Sequence, residues 1–310
     1  MFWHKCEVHL CMQSEQFQLH AQIEDRHWWF VARRRIMRQL VHKVAPPSAI
    51  AMHEYRKRLL VVDIGCGTGA NLAALADEYR CVGVDTSAEA IDLAHRRFPG
   101  ITCICGSAPH DIAQWLRQAA VVLMTDVLEH VADDRGLLAS IVEACSPGTQ
   151  ILLTVPADMR LWSPHDEAFG HYRRYDVEKL SAVWAGLPVK ARLISHFNTR
   201  LYPLVRAVRS VSRWRGRTSG AANTDFSLPM RPINSVLEAC FAGEGRRLLR
   251  AVDTGSGPYR RGVSLIAILQ REMETKPSLN PRVGIVTPGG ISDENQADLA
   301  ASVISTPAVL

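Results

Sequence analysis

The sequence predicts an α/β fold, a doubly wound and mostly parallel seven-stranded sheet with a helical lid and insert. Three observations predict it. The run from Leu59 to Asn71, LLVVDIGCGTGAN, puts four aliphatic residues before Asp63 and glycines at positions 65, 67 and 69. A buried strand, a glycine turn and a helix start make the first unit of such a sheet. Strand-like and helix-like patterns then alternate through residues 59–155, which argues parallel strands with helices on both faces. Near the end, Val263 to Gln270 (VSLIAILQ) reads as a buried strand that closes the sheet.

The elements follow in order. Residues 1–20 carry no clear period and read as an irregular arm. From Ile23 to Val44 the pattern is helical, with Ile36, Met37, Leu40, Val41 and Val44 at three- and four-residue steps, and Pro46-Pro47 ends it. Arg33, Arg34 and Arg35 either mark the wet side or reach over a ligand. Trp28, Trp29 and Phe30 either cap a pocket or pack the helix on the domain. The second strand, Arg80 to Asp85, ends in an acid 22 residues after Asp63. Ser87 caps the helix that runs to Phe98. Strands over Ile101–Cys105, Ala119–Thr125 and Thr149–Val155 follow, with helices around 111–118 and 133–145 between them.

The second half is less regular. Ala157 to Tyr175 (ADMRLWSPHDEAFGHYRRY) mixes aromatic, basic and titratable residues around Pro164 and Gly170, the composition of a loop or lid. Asp176 to Ala185 reads as a short helix and Val189 to His196 as a half-exposed strand. Leu201 to Trp214 is helical, with Leu201, Leu204, Val205, Val208 and Val211 on one face and Arg206, Arg209 and Arg213 on the others. Residues 216–232 have loop composition, 233–251 read as one insert helix, and the tail from Thr275 has the composition of a disordered segment.

Composition narrows the classes. The 310 residues are 47% hydrophobic and 22% charged, ordinary for a globular protein. No run of about 18 apolar residues marks a membrane span, and no apolar core of signal-peptide length opens the chain, so a cytoplasmic location is expected. The eight cysteines form no CxxC pair. His4, Cys6, His9 and Cys11 match no common zinc spacing, so neither a disulfide framework nor a metal is expected. The net charge is +5, and Lys190 to Arg217 holds eight basic residues and no acid. That bias suits an anionic partner or a solvated helix face. With the apolar face of the 201–214 helix, it raises peripheral contact of 200–217 with the inner face of a membrane.

Gly65-x-Gly67-x-x-Ala70 alone also fits a dinucleotide fingerprint. The motifs together are more specific. Asp63 to Gly69 resembles motif I of the class I S-adenosylmethionine-dependent methyltransferases, which have a Rossmann-like fold. Val82-Gly83-Val84-Asp85-Thr86-Ser87 resembles their second motif. Asp126-Val127-Leu128-Glu129-His130-Val131 resembles the signature after strand four in the ubiquinone/menaquinone-biosynthesis-type (type 11) subgroup. Ser146-Pro147-Gly148 resembles the turn before strand five. His27 to Phe30, Trp162 to Glu167 and Gly170 to Tyr175 look like a bacterial branch whose members often accompany glycan, lipid or secondary-metabolite pathways. The resemblance implies an arm and helix over 1–45 and a methyltransferase domain over 46–270, with a cofactor half at 59–155, a substrate lid and insert at 156–258 and a closing strand at 263–270. The segment 275–310 would be a tail.

The resemblance implies S-adenosylmethionine as cofactor, with Asp63, Gly65, Gly67, Gly69, Asp85, Thr86, Ser107, Ala108 and Asp126 around it. Asp85 would bind both ribose hydroxyls. Ser107-Ala108 stands where the family often has an Asp-Ala pair against the adenine, so the acidic contact is missing there. Methyl transfer is an in-line displacement that needs alignment, a dry pocket and, for a weak nucleophile, a base. His130, His165 with Asp166, and His171 are the candidates for that base. Trp28, Trp29, Tyr172, Arg173 and Arg174 are candidates for holding a small-molecule or lipid-linked acceptor. The rival readings are a nicotinamide-dependent oxidoreductase and a non-catalytic pseudo-methyltransferase subunit. RNA as a substrate finds no recognisable binding motif.

Overall fold

The structure, a computed structural model, describes residues 14–47, 55–216 and 226–273. All of these belong to one unit of the chain. The predicted N-terminal run of residues 1–13 and the tail from 274 lie outside the described residues, as do Cys6 and Cys11.

The elements are α1 (Ser14–Ile23), α2 (Trp28–Val44), β1 (Leu60–Ile64), α3 (Ala70–Ala73), β2 (Arg80–Asp85), α4 (Ala88–Arg97), β3 (Thr102–Cys105), α5 (Ala113–Leu116) and β4 (Ala119–Thr125). They continue as α6 (Asp134–Ala144), β5 (Gln150–Pro156), α7 (Pro164–Ala168), α8 (Val177–Val183), β6 (Val189–Phe197), α9 (Tyr202–Arg215), α10 (Arg231–Ala242), α11 (Gly245–Ala251) and β7 (Ser264–Arg271). The seven strands form one sheet in the order β3-β2-β1-β4-β5-β7-β6. The first five pair in parallel, and β7 runs antiparallel to both β5 and β6. This is the Rossmann-like α/β sheet that the strand pattern predicts.

Alternation within β1 explains the layering. Val61 joins the cluster built from Ile36, Met37, Leu40 and Val41 of α2 and Ile91 and Ala94 of α4. Leu60, Val62 and Ile64 join the opposite cluster, with Leu116 of α5, Leu138, Ile141 and Val142 of α6 and Leu180 of α8. A strand buried on both faces must be apolar at nearly every position, so Asp63, fully buried, stands out.

Several expectations are corrected. Part of the supposedly irregular arm is α1, which buries Phe17 and Ile23 against the domain; tertiary packing stabilises a helix whose own periodicity is weak. The helix expected from Ile23 begins instead at Trp28, with the His27 ring accepting from the Trp29 amide. The 233–251 stretch is two helices, broken at Gly243-Glu244. The buried Glu244 carboxylate accepts from the Thr199 and Arg200 amides at 2.8 Å each. The strand expected to close the sheet lies inside it, and β6 forms the edge. The antiparallel β7 is apolar from Leu265 to Leu269 because both its neighbours and both helical layers cover it.

Helix α9 buries an arginine and leaves part of its apolar face at the surface. Arg209 and Ser212 are buried, whereas Leu204, Val208 and Val211 are exposed and Trp214 is 86% exposed. The cause is a buried carboxylate described below.

Candidate functional site

The strand order reverses between β1 and β4, so their carboxyl ends open a crevice between loops that leave in opposite directions. A cavity of about 600 Å³ lies there. That size is typical of small-molecule sites, which run about 300–1,000 Å³. Its wall joins the turn after β1, the ends of β2 and β4, the lid, α9 and the N-terminal helices.

The glycine turn follows from β1 geometry. Gly65 has φ +69° and lies so close to Val127 that a Cβ would come within 2.8 Å of its methyl. Gly67 donates its amide to Asp85 Oδ2 at 2.9 Å, and Ser87 donates its amide to Oδ1 at 2.9 Å. Asp85 is thereby fixed at the end of β2, with acceptor capacity still to use. Burial raises the Asp85 carboxyl and these backbone bonds oppose the rise. Thr86, Ser107 and Ala108 continue the same wall. The Ser107 amide donates to Asp111 Oδ2 at 2.7 Å, so an acid supports this turn from four residues on.

Asp63 and Gly69 lie off the cavity wall. Burial pushes the Asp63 carboxyl up to about 7. It accepts no well-formed hydrogen bond; its polar neighbour Asn71 donates instead to Thr125 Oγ1 at 3.1 Å. Asp126 sits at φ +57°, an uncommon conformation for a residue with a Cβ, and accepts from Thr154 Oγ1 at 3.1 Å. Its other oxygen pairs with Arg33 of α2. Arg33 also lies 4.3 Å from the centroid of the Trp29 ring. Both sequence alternatives for the aromatic residues are met: Trp28 and Trp29 pack on the core, and with Phe30 and Arg33 they also line the cavity.

The lid is organised around Asp166, which is fully buried. It accepts from Arg174 Nε at 2.7 Å, Arg209 Nη1 at 3.2 Å, the Ser163 amide at 2.9 Å and His171 Nδ1 at 2.9 Å. These partners hold its carboxyl well below the usual carboxylate range against the opposing effect of burial. An ionised carboxylate only accepts, so His171 Nδ1 carries a proton and donates it toward Asp166. Asp166 orients His171, its neighbour across the Gly170 turn, rather than the adjacent His165.

His130, His165 and His171 all reach the cavity wall, and Asp166 stands behind them. The His130 and His171 ring centroids are 4.7 Å apart. Burial lowers His130 to about 3 and holds His165 well below the ordinary value, so both are neutral at pH 7. Glu129, absent from the sequence-based candidates, is fully buried beside them on the wall. Burial and then the Asp126 charge raise its carboxyl well above the usual range. Among the predicted acceptor-holding residues, Trp28, Trp29 and Arg174 reach the cavity. Tyr172 and Arg173 do not: Tyr172 is exposed, and Arg173 donates to the Ala132 carbonyl and pairs with Asp134 at 2.8 Å. His27, from the His27–Phe30 motif, joins His20, Phe169 and Phe226, which no sequence motif marks, in an aromatic wall.

The sequence matches the family profile of a methyltransferase domain over residues 29–202. No curated protein matches it in sequence. Among solved structures it resembles the plantazolicin methyltransferase BamL, solved with a triazolic desmethylPZN analog and SAH: 15% identity, 84% of this chain and 97% of that one, TM-score 0.47. It also resembles the magnesium protoporphyrin IX methyltransferase of Synechocystis PCC 6803 with bound SAM, at 16% identity, 56% and 76% coverage and TM-score 0.40. A SAM-dependent methyltransferase from Archaeoglobus fulgidus aligns at 16% identity, 76% and 94% coverage and TM-score 0.40.

Proposed function

The chain belongs to the methyltransferase domain family, with S-adenosylmethionine as its methyl donor, and from that premise we propose that it methylates a hydroxyl group on a small apolar or lipid- or glycan-linked metabolite of a biosynthetic pathway. One observation carries this reading: a single cavity is lined both by the glycine turn with Asp85 and by the Glu129, His130 and His171 cluster within an aromatic wall.

Asp85 would take the ribose hydroxyls with its spare lone pairs, while the Gly65–Gly67 backbone makes room for the methionyl end. Ser107 would accept from the adenine amino group in place of the missing acid. Asp126 would face the methionyl end, its charge shared with Arg33. The donor carbon already bears a strong leaving group, so the chain's task is to align the acceptor, exclude water and remove a proton. His171 Nε2, with its proton held on Nδ1 by Asp166, stands ready to receive that proton. Trp28, Trp29, Phe30 and Phe226 suit an apolar acceptor body.

The described helices include none long and apolar enough to cross a membrane. A lipid-linked acceptor would meet the exposed Leu204, Val208, Val211 and Trp214 of α9, with Arg206 and Arg213 toward anionic headgroups. Arg209, buried on Asp166, takes no part in that. Incubation with labelled S-adenosylmethionine and fractionated lipid and polar extracts, followed by mass spectrometry, tests the proposal. A methylated small molecule or lipid is the expected product. Label appearing only in RNA or protein would overturn it.

A further inference from the structure

Glu129, His130 and His171 share a geometry that proton removal alone does not require. One ligand atom from each lies within 4.8 Å of the other two. The two rings meet at 80°, edge to face, so they converge without stacking. The Glu129 carboxylate is fully buried, and neither oxygen has a hydrogen-bond partner. A buried carboxylate without donors is costly unless a proton or a cation joins it.

His171 has one nitrogen committed: its Nδ1 donates to Asp166 at 2.9 Å, so Nε2 is the nitrogen that would ligate. Fixing one ring nitrogen so that the other can ligate is how proteins orient histidines at metal centres. The nearby cations are balanced elsewhere: Arg33 pairs with Asp126 and Arg174 with Asp166.

We propose that Glu129, His130 and His171 bind one divalent first-row transition ion, of the zinc, manganese or iron type. Two imidazoles and one carboxylate suit those ions better than magnesium or calcium, which prefer oxygen ligands. All three residues line the cavity, so further coordination positions face it. On the methyl-transfer reading, with the ion bound His171 serves as a ligand in place of the base, and an acceptor hydroxyl on the ion would lose its proton to water more readily. Its oxygen would then form the new C–O bond as the donor S–C bond breaks, leaving S-adenosylhomocysteine. The cation site itself does not depend on that reading. The sequence expectation of no metal rested on cysteine spacing, whereas this set spans the turn after β4 and the lid.

The test uses the full chain stripped with EDTA and titrated with Co²⁺. One saturable equivalent with visible d–d absorption, displaced by Zn²⁺, is expected. Glu129→Gln and His171→Ala should each weaken it at least tenfold. His110→Ala, at a histidine 89% exposed and away from the cavity, should leave it unchanged. Binding of S-adenosylmethionine by the same variants, measured by calorimetry, separates loss of the cation site from loss of the fold or of the donor site. A reading that needs no variant is thermal melting, where one equivalent of Zn²⁺ should raise the midpoint and EDTA should reverse the rise. No saturable equivalent, no melting shift, or unchanged Co²⁺ affinity in both cavity variants would overturn the proposal, whatever the methyl-transfer assay shows.

Discussion

Asp166 illustrates how one buried charge sets the roles of four others. Arg174, Arg209, His171 and the Ser163 amide all converge on it. Removing it leaves two guanidinium groups without their shared acceptor in a site from which water is largely excluded. Asp166→Ala is therefore expected to lower the unfolding free energy by about 3–5 kcal/mol, read from urea denaturation. At Asp85 the expectation is different. Its backbone partners can turn to water, so Asp85→Ala should leave the fold intact while weakening S-adenosylmethionine binding by about 1–3 kcal/mol in calorimetry. Unchanged affinity would refute the ribose assignment. Asp85 was legible from its position after β2. Glu129 was not, because within its motif it reads only as a turn residue.

At the scale of elements, α9 shows what a helical wheel leaves out. Its apolar residues fall on one face and its arginines on the others, which by itself suggests an apolar face for a membrane surface and gives no sign that one arginine is buried. The Asp166 carboxylate draws Arg209 under the helix, and Leu204, Val208 and Val211 are left at the surface. A sharp contrast follows between arginines one turn apart. Arg209→Ala should cost about 1.5–3 kcal/mol by removing one of the donors to the buried Asp166 carboxylate. Arg206→Ala, at an exposed position, should stay within about 0.5 kcal/mol by the same denaturation measurement. Replacing Leu204 and Val208 together by serine should leave stability nearly unchanged yet raise the KM for an apolar acceptor, since both residues line the cavity. The N-terminal helices were half legible: α2 declares itself by period, but α1 is stabilised by contacts that its own sequence does not announce.

For the whole molecule, the buried titratable groups set the response to acid. Burial holds His20 and His130 at about 3 and His27 at about 4. The unfolded chain takes up protons near 6.5 that the folded chain refuses, so each of these residues contributes stability that is lost as pH falls below 6.5. Asp63 acts in the opposite sense. Its folded value of about 7 lies above its unfolded one, so its contribution favours the fold at low pH and fades as pH rises toward 7. Each group changes stability by up to about 1.4 kcal/mol per pH unit. With His165 and His196, five depressed histidines, joined by the depressed carboxyls of Asp158 and Asp166, stand against the raised carboxyls of Asp63, Asp85, Glu129 and Glu244. Urea midpoints should therefore fall between pH 6.5 and 4. Asp63→Asn, which removes one opposing group, should make that fall steeper. A flat profile in both proteins would show that these side chains titrate alike in the folded and unfolded chain.

The sequence by itself determined the strand order along the chain, the glycine turn, the placement of Asp85 and the family. These rest on short-range facts: a period of two or of 3.6, a positive φ only glycine takes easily, an acid at a strand end. The tertiary structure decided what distant segments do when they meet. It inserted β7 between β5 and β6, brought Arg33 to Asp126 across 93 residues, and turned Arg209 inward. It also placed the lid's His171 against Glu129 and His130. A buried charge finds its partner by proximity in space, and no local pattern records which segment will supply it.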